Sequence, residues 1–310
     1  MASYYTFEDL SGTTTPVVGD NPYQDLIAAC QDDPAQVQAR YNIHRTNRNN
    51  QQRDKLLAAD FPGVTVDQVL ARLEDPSDEF EDPRNCLVFW SRPTQSVRSL
   101  IFEVQKRLLE AAPNLWTMPQ DCLHMTAMEV THSLTAAEIE ALVNTLMPSV
   151  ASITNYTLDH RSRLVKPMVS FDAQALALSF LPAAGEGNQP AEEDAYTYHH
   201  LRRDLFDKIQ AGGVKVASRY VTPSAHLTIG RFITKKDFET PGGEVDHDKV
   251  ARLVKVIEDI NEWLQKEYWP QGENIKDGSK WTVGEEKGLE CRKGRLWYGG
   301  GERIHLGEGF

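Results

Sequence analysis

Apolar residues fall at three- and four-residue intervals in several stretches of the chain. In "TQSVRSLIFEVQKRLLEAA", Val97, Leu100, Ile101, Val104 and Leu108 share one face, which predicts an amphipathic helix over 94–112. "TAAEIEALVNTLM" predicts another over 135–147, with Thr135 as its cap and Glu138 three residues on, the spacing of a capping box. The stretch 246–268 carries the strongest helical pattern, and "AYTYHHLRRDLFDKIQAGG" reads as a helix that stops at Gly212-Gly213. Between these helices the period changes to two. "CLVFW", "LHMTAMEV", "ITNYTLDHRSRLV", "MVSFDAQALALSFLP" and "HLTIGRFI" read as strands, and the tail from Trp281 adds strand-like pieces between glycines. Residues 22–76 read as helical, with a helix from "TVDQVLARLED" capped by Thr65; residues 1–20 are small and polar and read as mobile. The acidic, proline-marked stretch 75–85 reads as a linker. A helix precedes and follows both "LHMTAMEV" and "HLTIGRFI".

Those two strands each hold a His-x-Thr triplet, His124/Thr126 and His226/Thr228, 102 residues apart. Alternation puts residues i and i+2 on one face of a strand. His124 and Thr126 therefore share a face, while Met125 and Ala127 turn to the core; Leu227 and Ile229 do the same beside His226 and Thr228. Two further triplets, at His44 and His160, have Arg in the middle and no apolar face. One such pair alone is more often a structural histidine; two matched pairs favour chemistry. Two imidazoles and two hydroxyls suit phosphodiester cleavage. A neutral imidazole takes a proton from the attacking hydroxyl, an imidazolium gives one to the leaving oxygen, and the hydroxyls donate to non-bridging phosphate oxygens.

Composition narrows the partners. The 310 residues carry a net charge of −12, with 40% hydrophobic residues, an ordinary soluble balance. A protein that grips long nucleic acid usually shows a basic footprint; none is visible, so a nucleotide substrate is expected to be small or a chain end. No apolar run approaches the ~18 residues that span a bilayer, and "MASYYTFEDLSG" lacks the basic and apolar regions of a secretory signal. Four scattered cysteines without CxxC spacing argue against a disulfide framework and a structural zinc site. These features lead to the expectation of a cytoplasmic or nuclear monomer, without membrane partner.

"HMTA" and "HLTI" resemble the two motifs that mark the two-histidine (2H) phosphoesterase superfamily, which includes 2′,3′-cyclic nucleotide phosphodiesterases and related RNA-end enzymes; the cyclic phosphodiesterase-like proteins of fungi are the most similar in pattern. The resemblance spans roughly residues 86–310 and leaves 1–85 as an N-terminal helical extension. It implies an α+β, bilobal fold in which two antiparallel sheets form a central groove with helices outside. It further implies catalysis by His124 and His226, phosphate binding by Thr126 and Thr228, and no metal or cofactor. In the same resemblance His226 is the base that activates water and His124 the acid.

Other residues are secondary candidates for substrate binding. Arg231 lies five residues after His226; strict alternation turns it away from the groove unless Gly230 introduces a bulge, so a phosphate contact competes with a surface salt bridge. Tyr220 and Trp116 precede the motifs and are candidates for base stacking, against packing roles. Trp297 and Tyr298 sit beside a triple glycine, and Glu129 has the odd parity of an outer ion pair. His199 and His200 are neighbours on a helix and do not share a face, which disfavours a metal pair. Two other functions compete with hydrolysis of a cyclic phosphate: a non-catalytic module that binds a nucleotide or phosphate, and a different phosphodiester transfer or ligation in the same groove.

Overall fold

The computed structural model describes residues 8–13, 19–187, 191–218 and 220–310. Most of the segment 1–20 expected to be mobile, and part of the 183–194 loop, lie outside the described residues.

Three helices open the chain. The first, α1 (Gln24–Ala29), leads to α2 (Pro34–Leu57), which starts where Asp33 accepts from the Ala35 amide and Pro34 takes the first helical position. The third, α3 (Gln68–Leu73), is capped by Asp67 rather than Thr65: the Asp67 carboxylate accepts from Leu70 N–H at 3.2 Å. After a stretch without regular structure come β1 (Asn85–Ser91), α4 (Gln95–Leu109), β2 (Leu115–Thr117), β3 (Met125–Leu134) and α5 (Ala136–Thr154). The capping box at Thr135 is formed in both directions, with Glu138 accepting from the Thr135 amide at 2.8 Å. The helix runs through Pro148 to Thr154, so the first part of "ITNYTLDHRSRLV" is helix end and turn, and the strand β4 begins at Arg163 and ends at Phe171.

The second half follows as β5 (Ala175–Pro182), α6 (Tyr198–Ala211), β6 (Ala225–Phe232), α7 (His247–Tyr268), β7 (Lys280–Thr282), β8 (Glu290–Gly294) and β9 (Glu302–Leu306). The α6 helix stops at Gly212, followed by Gly213 at φ +85°, a conformation that other L residues rarely adopt.

All strand pairs among the described residues are antiparallel, in the order β7-β4-β5-β6-β3-β1-β8-β9, with β2 also on β6. Helices pack against this sheet, and the protein is α+β. The middle of the sheet is its narrowest joint. There β3 and β6 pair through one couple, Met125 opposite Leu227. Beyond it β2 takes over the same edge of β6, pairing Leu115, Trp116 and Thr117 with Phe232, Arg231 and Gly230. Gly230 allows this approach: a Cβ there would lie 3.2 Å from the Trp116 carbonyl oxygen. Gln105 of α4 ties the junction, donating to the carbonyls of Met118 and Ile229 at 2.9 and 3.0 Å.

The first 85 residues are not set apart by their packing. Tyr23, Leu26, Val37, Tyr41, Leu56, Phe61 and Val64 belong to the same continuous core as Met125, Leu227 and the helix faces of α4, α5 and α7. No helix of the described residues is long and apolar enough to cross a membrane. All four cysteines are free thiols.

Candidate active site

The apolar half of each motif anchors it. Met125, Ala127, Leu227 and Ile229 are each at most 1% exposed, and burying side chains of this size contributes about 1.5–3 kcal/mol for each of the larger ones. With those side chains fixed on one face, the residues between them are forced to the other. His124, Thr126, His226 and Thr228 all line one cleft of about 740 Å³, open space included. Extending the Met125–Leu227 register by one residue each way sets His226 opposite Thr126 and His124 opposite Thr228. The imidazoles then lie on a diagonal, for which an undistorted ladder gives a spacing of roughly 7–8 Å, somewhat less between the Cβ atoms.

Both motif strands carry a bulge at the same place. On β3, Trp90 and Phe89 pair with Thr126 and Met128, skipping Ala127. On β6, Ala177 and Leu176 pair with Thr228 and Gly230, skipping Ile229. The extra residue directly after each threonine reverses the alternation. Arg231 and Glu129, each five residues after its histidine, are thereby turned into the cleft wall. Arg231 is paired with Asp67 at 3.1 Å, within the cleft and not on the outer surface. Glu129 is 5% exposed and lines the cleft, which corrects its reading as an outer ion-pair residue.

Each imidazole is braced by the residue two positions before it. His124 Nδ1 lies 2.7 Å from the Cys122 carbonyl oxygen. A carbonyl only accepts, so Nδ1 carries the proton and Nε2 remains free for chemistry. His226 Nδ1 lies 2.9 Å from Ser224 Oγ, a partner that can donate or accept. The indole of Trp90 stacks on His124 with ring centroids 3.8 Å apart. Arg92 pairs with Glu290 and donates to the carbonyls of Asp121 and Leu123 at 3.2 and 3.1 Å, fixing the turn that delivers His124.

Both rings are neutral near pH 7. Burial is the largest cause for His124, pushing its pKa down to about 3; Arg92 and Arg292 act in the same direction, while the Cys122 carbonyl and Glu290 oppose them. Burial also leads for His226, which is pushed down to about 4, and there every neighbouring charge, from Arg48, Arg202, His44 and Arg231, works the same way. The environments are thus unequal in kind. His124 has acceptors that favour an imidazolium once an anion offsets the burial; His226 stands among cations that resist one.

Arg202 of α6 was not singled out from the sequence. It is 2% exposed and lines the cleft with the two histidines. One terminal nitrogen donates to the Thr222 carbonyl at 2.8 Å and the other to the Tyr23 hydroxyl at 3.3 Å, while Nε has no hydrogen-bond partner. The guanidinium lies 4.5 Å from the centroid of the Tyr23 ring. Among the described residues no carboxylate pairs with it. Burial works against this charge, but Tyr23, Tyr41 and Tyr198 outweigh it and hold the guanidinium's pKa above its ordinary value. Its signal in the sequence was an arginine on the buried face of an amphipathic helix, in step with Tyr198, Leu201, Leu205 and Ile209.

Tyr220 lies in the cleft, with its ring centroid 6.0 Å from that of His226. Trp297 lines it too. Trp116 does not line the cleft: β2 fills the edge of β6 beyond the joint, and the Trp116 ring packs edge-on against Tyr298 at 6.2 Å. His199 and His200 are bound within the core. His199 contacts the Tyr41 hydroxyl at 2.9 Å and the Tyr23 carbonyl at 3.0 Å, and His200 contacts Thr197 and Asp32.

No family model matches the chain, and no curated protein matches its sequence. A solved structure of a conserved protein of unknown function from Agrobacterium tumefaciens is similar over 82% of this chain and 97% of its own, with a TM-score of 0.48 and 13% identity.

Proposed function

We propose that the protein is a metal-independent phosphodiesterase that opens the 2′,3′-cyclic phosphate of a nucleotide or RNA end by two-histidine acid/base catalysis. The observation that carries this reading is the meeting of both His-x-Thr pairs over one cleft, on neighbouring antiparallel strands. The resemblance to 2H phosphoesterases supports it from the motif residues. The two lobes implied by that resemblance correspond, in this reading, to the two halves of the sheet on either side of the Met125–Leu227 joint.

The substrate's phosphorus sits between the imidazoles. His226, kept neutral by its burial and by the cations around it, takes a proton from water through Nε2 as the oxygen attacks. His124, as imidazolium, donates from Nε2 to the leaving ribose oxygen, and its Nδ1–H stays on the Cys122 carbonyl. Thr126, Thr228 and Arg202 donate to the non-bridging oxygens, where negative charge must be held. The product is a single molecule, a monophosphate ester that carries the freed ribose hydroxyl, and the two histidines have exchanged protonation states. Solvent exchange resets them.

The direct test is turnover of the four nucleoside 2′,3′-cyclic phosphates in EDTA. Turnover of at least one is expected. Tight binding without turnover identifies a binding module instead, and turnover that depends on added metal contradicts the mechanism.

The histidine pKa values add a prediction about pH. Productive catalysis needs one proton on the pair. In the free protein that proton is lost as pH rises above about 4, since both pKa values lie at about 3 to 4. A bound phosphodiester anion favours the charged form and raises both. The alkaline limb of kcat/KM, which reports the free protein, is therefore expected at lower pH than the limb of kcat, which reports the complex. Coincident limbs contradict the assignment, as does a rate still climbing beyond pH 9.

A further inference from the structure

The cleft does not end at the histidines. Tyr220, Ser224, His226, Thr228, Arg231 and Trp297 also border a second chamber of about 1250 Å³, open space included. Its far wall comes from α2, in the part of the chain that the motif resemblance leaves out. Arg45 and Arg48 project there, one turn apart, over the β4–β5 hairpin. Phe171 and Phe180 supply apolar surface between.

The two arginines are held differently. Arg45 is 5% exposed; it donates to the Lys166 carbonyl at 2.7 Å and to Asn42 at 3.2 Å, and its Nε has no partner. Among the described residues no carboxylate pairs with it, and burial pushes its pKa down to about 9. Arg48 is a third exposed and pairs with Asp172 at 2.9 Å. Arg45 thus repeats in this chamber the condition of Arg202 in the first: a buried guanidinium without counter-charge at a wall of the cleft. The two places belong to one continuous cleft: His226, Arg45 and Arg48 all line the second chamber, and the charge of Arg48 acts on the His226 imidazole.

We infer that the second chamber binds a second phosphate of the substrate, carried at the 5′ side of the nucleoside whose cyclic phosphate lies between the histidines, with Arg48 as its direct partner and Arg45 behind it. This rests on the proposed reaction for its orientation, but the binding stands to be tested without turnover. Asp172 is the group the phosphate must displace. Its other oxygen, Oδ1, accepts from the amides of Gln174 and Ala175 at 2.8 and 2.9 Å, a role that asparagine can keep.

The experiment is calorimetric titration of the full chain with adenosine 2′-monophosphate and adenosine 2′,5′-bisphosphate. The bisphosphate is expected to bind about tenfold tighter or better, as one charge-assisted contact provides. Arg48→Gln is expected to bring the two dissociation constants together. Asp172→Asn is expected to widen the gap by freeing Arg48, a direction that a purely structural ion pair would not give. Equal dissociation constants in the unsubstituted protein, or a gap unchanged in Arg48→Gln, overturn the inference. Failure of the cyclic phosphates to turn over, with the bisphosphate preference intact, overturns the reaction and leaves the second phosphate site standing.

Discussion

Alanine in place of either His124 or His226 is expected to lower kcat for a nucleoside 2′,3′-cyclic phosphate by about 10²–10⁴-fold, the range of a positioned acid or base. The double variant is expected to lose little more than the worse of the two single variants, because the pair acts as one unit and half of it moves no proton through to completion. The loss is expected in kcat more than in KM, since Thr126, Thr228 and Arg202 still hold the phosphate. Folding is not expected to confound the measurement. Each ring sits at the edge of the cleft and is desolvated at a cost, and each apolar neighbour, Met125 or Leu227, remains in the core. His124→Ala does vacate the face of Trp90 on which the ring stacks, so His124→Gln serves as its control. The measurement is initial rate against substrate concentration in EDTA, with urea unfolding of each variant. Retention of activity within threefold in either variant would remove that histidine from the chemistry.

Arg202→Met is expected to separate function from stability. It removes a donor to the non-bridging oxygens, for which a loss of about 10²-fold in kcat/KM is the expected scale. It also removes a buried charge that has no carboxylate partner among the described residues. The methionine leaves the Thr222 carbonyl without its donor, a cost of about 1–3 kcal/mol. Burial of the guanidinium is outweighed by Tyr23, Tyr41 and Tyr198, which hold its pKa above the ordinary value, so the loss of stability is expected to stay within about 3 kcal/mol, with the fold retained. Inorganic phosphate sharpens the test. It is expected to raise the unfolding temperature of the parent, as any ligand of the folded state does, and to lose that effect in the variant. An Arg202→Met protein that is markedly less stable and still stabilised by phosphate would mark Arg202 as a packing residue.

Much of the route to this cleft was legible along the chain, for reasons that can be assigned. Helices with strong periodicity and a local stop, such as α4, α5 and α7, show in one dimension because cap and face are both local. The pairing of His124 with Thr126 and of His226 with Thr228 was legible because period two is local as well. The braces were not read along the chain: Cys122 and Ser224 each stand two residues before a histidine, but only the structure shows them against the imidazoles. Nor were the bulges. Ala127 and Ile229 are ordinary strand residues, and only the register against β1 and β5 shows that each is an extra one. Glu129 and Arg231 changed sides because of that register. The wall built by α2 was hidden for a different reason. The helix is polar along much of its length, which reads as a solvated surface, whereas part of its polar face, with Arg45 and Arg48, borders the second chamber. Trp116 misled because nearness in sequence to a motif strand is not nearness in space once β2 docks elsewhere on β6.

The single rung between β3 and β6 has a mechanical consequence. Among the described residues the other neighbouring long strands pair over several residues, whereas β3 and β6 pair directly at Met125 and Leu227 alone, with β2 and Gln105 tying the junction beside them. In the proposed reaction a phosphate is held by Thr126 from one arm and Thr228 from the other, across the seam where direct strand pairing is thinnest. A bound ligand is therefore expected to slow hydrogen exchange of the amides along this seam.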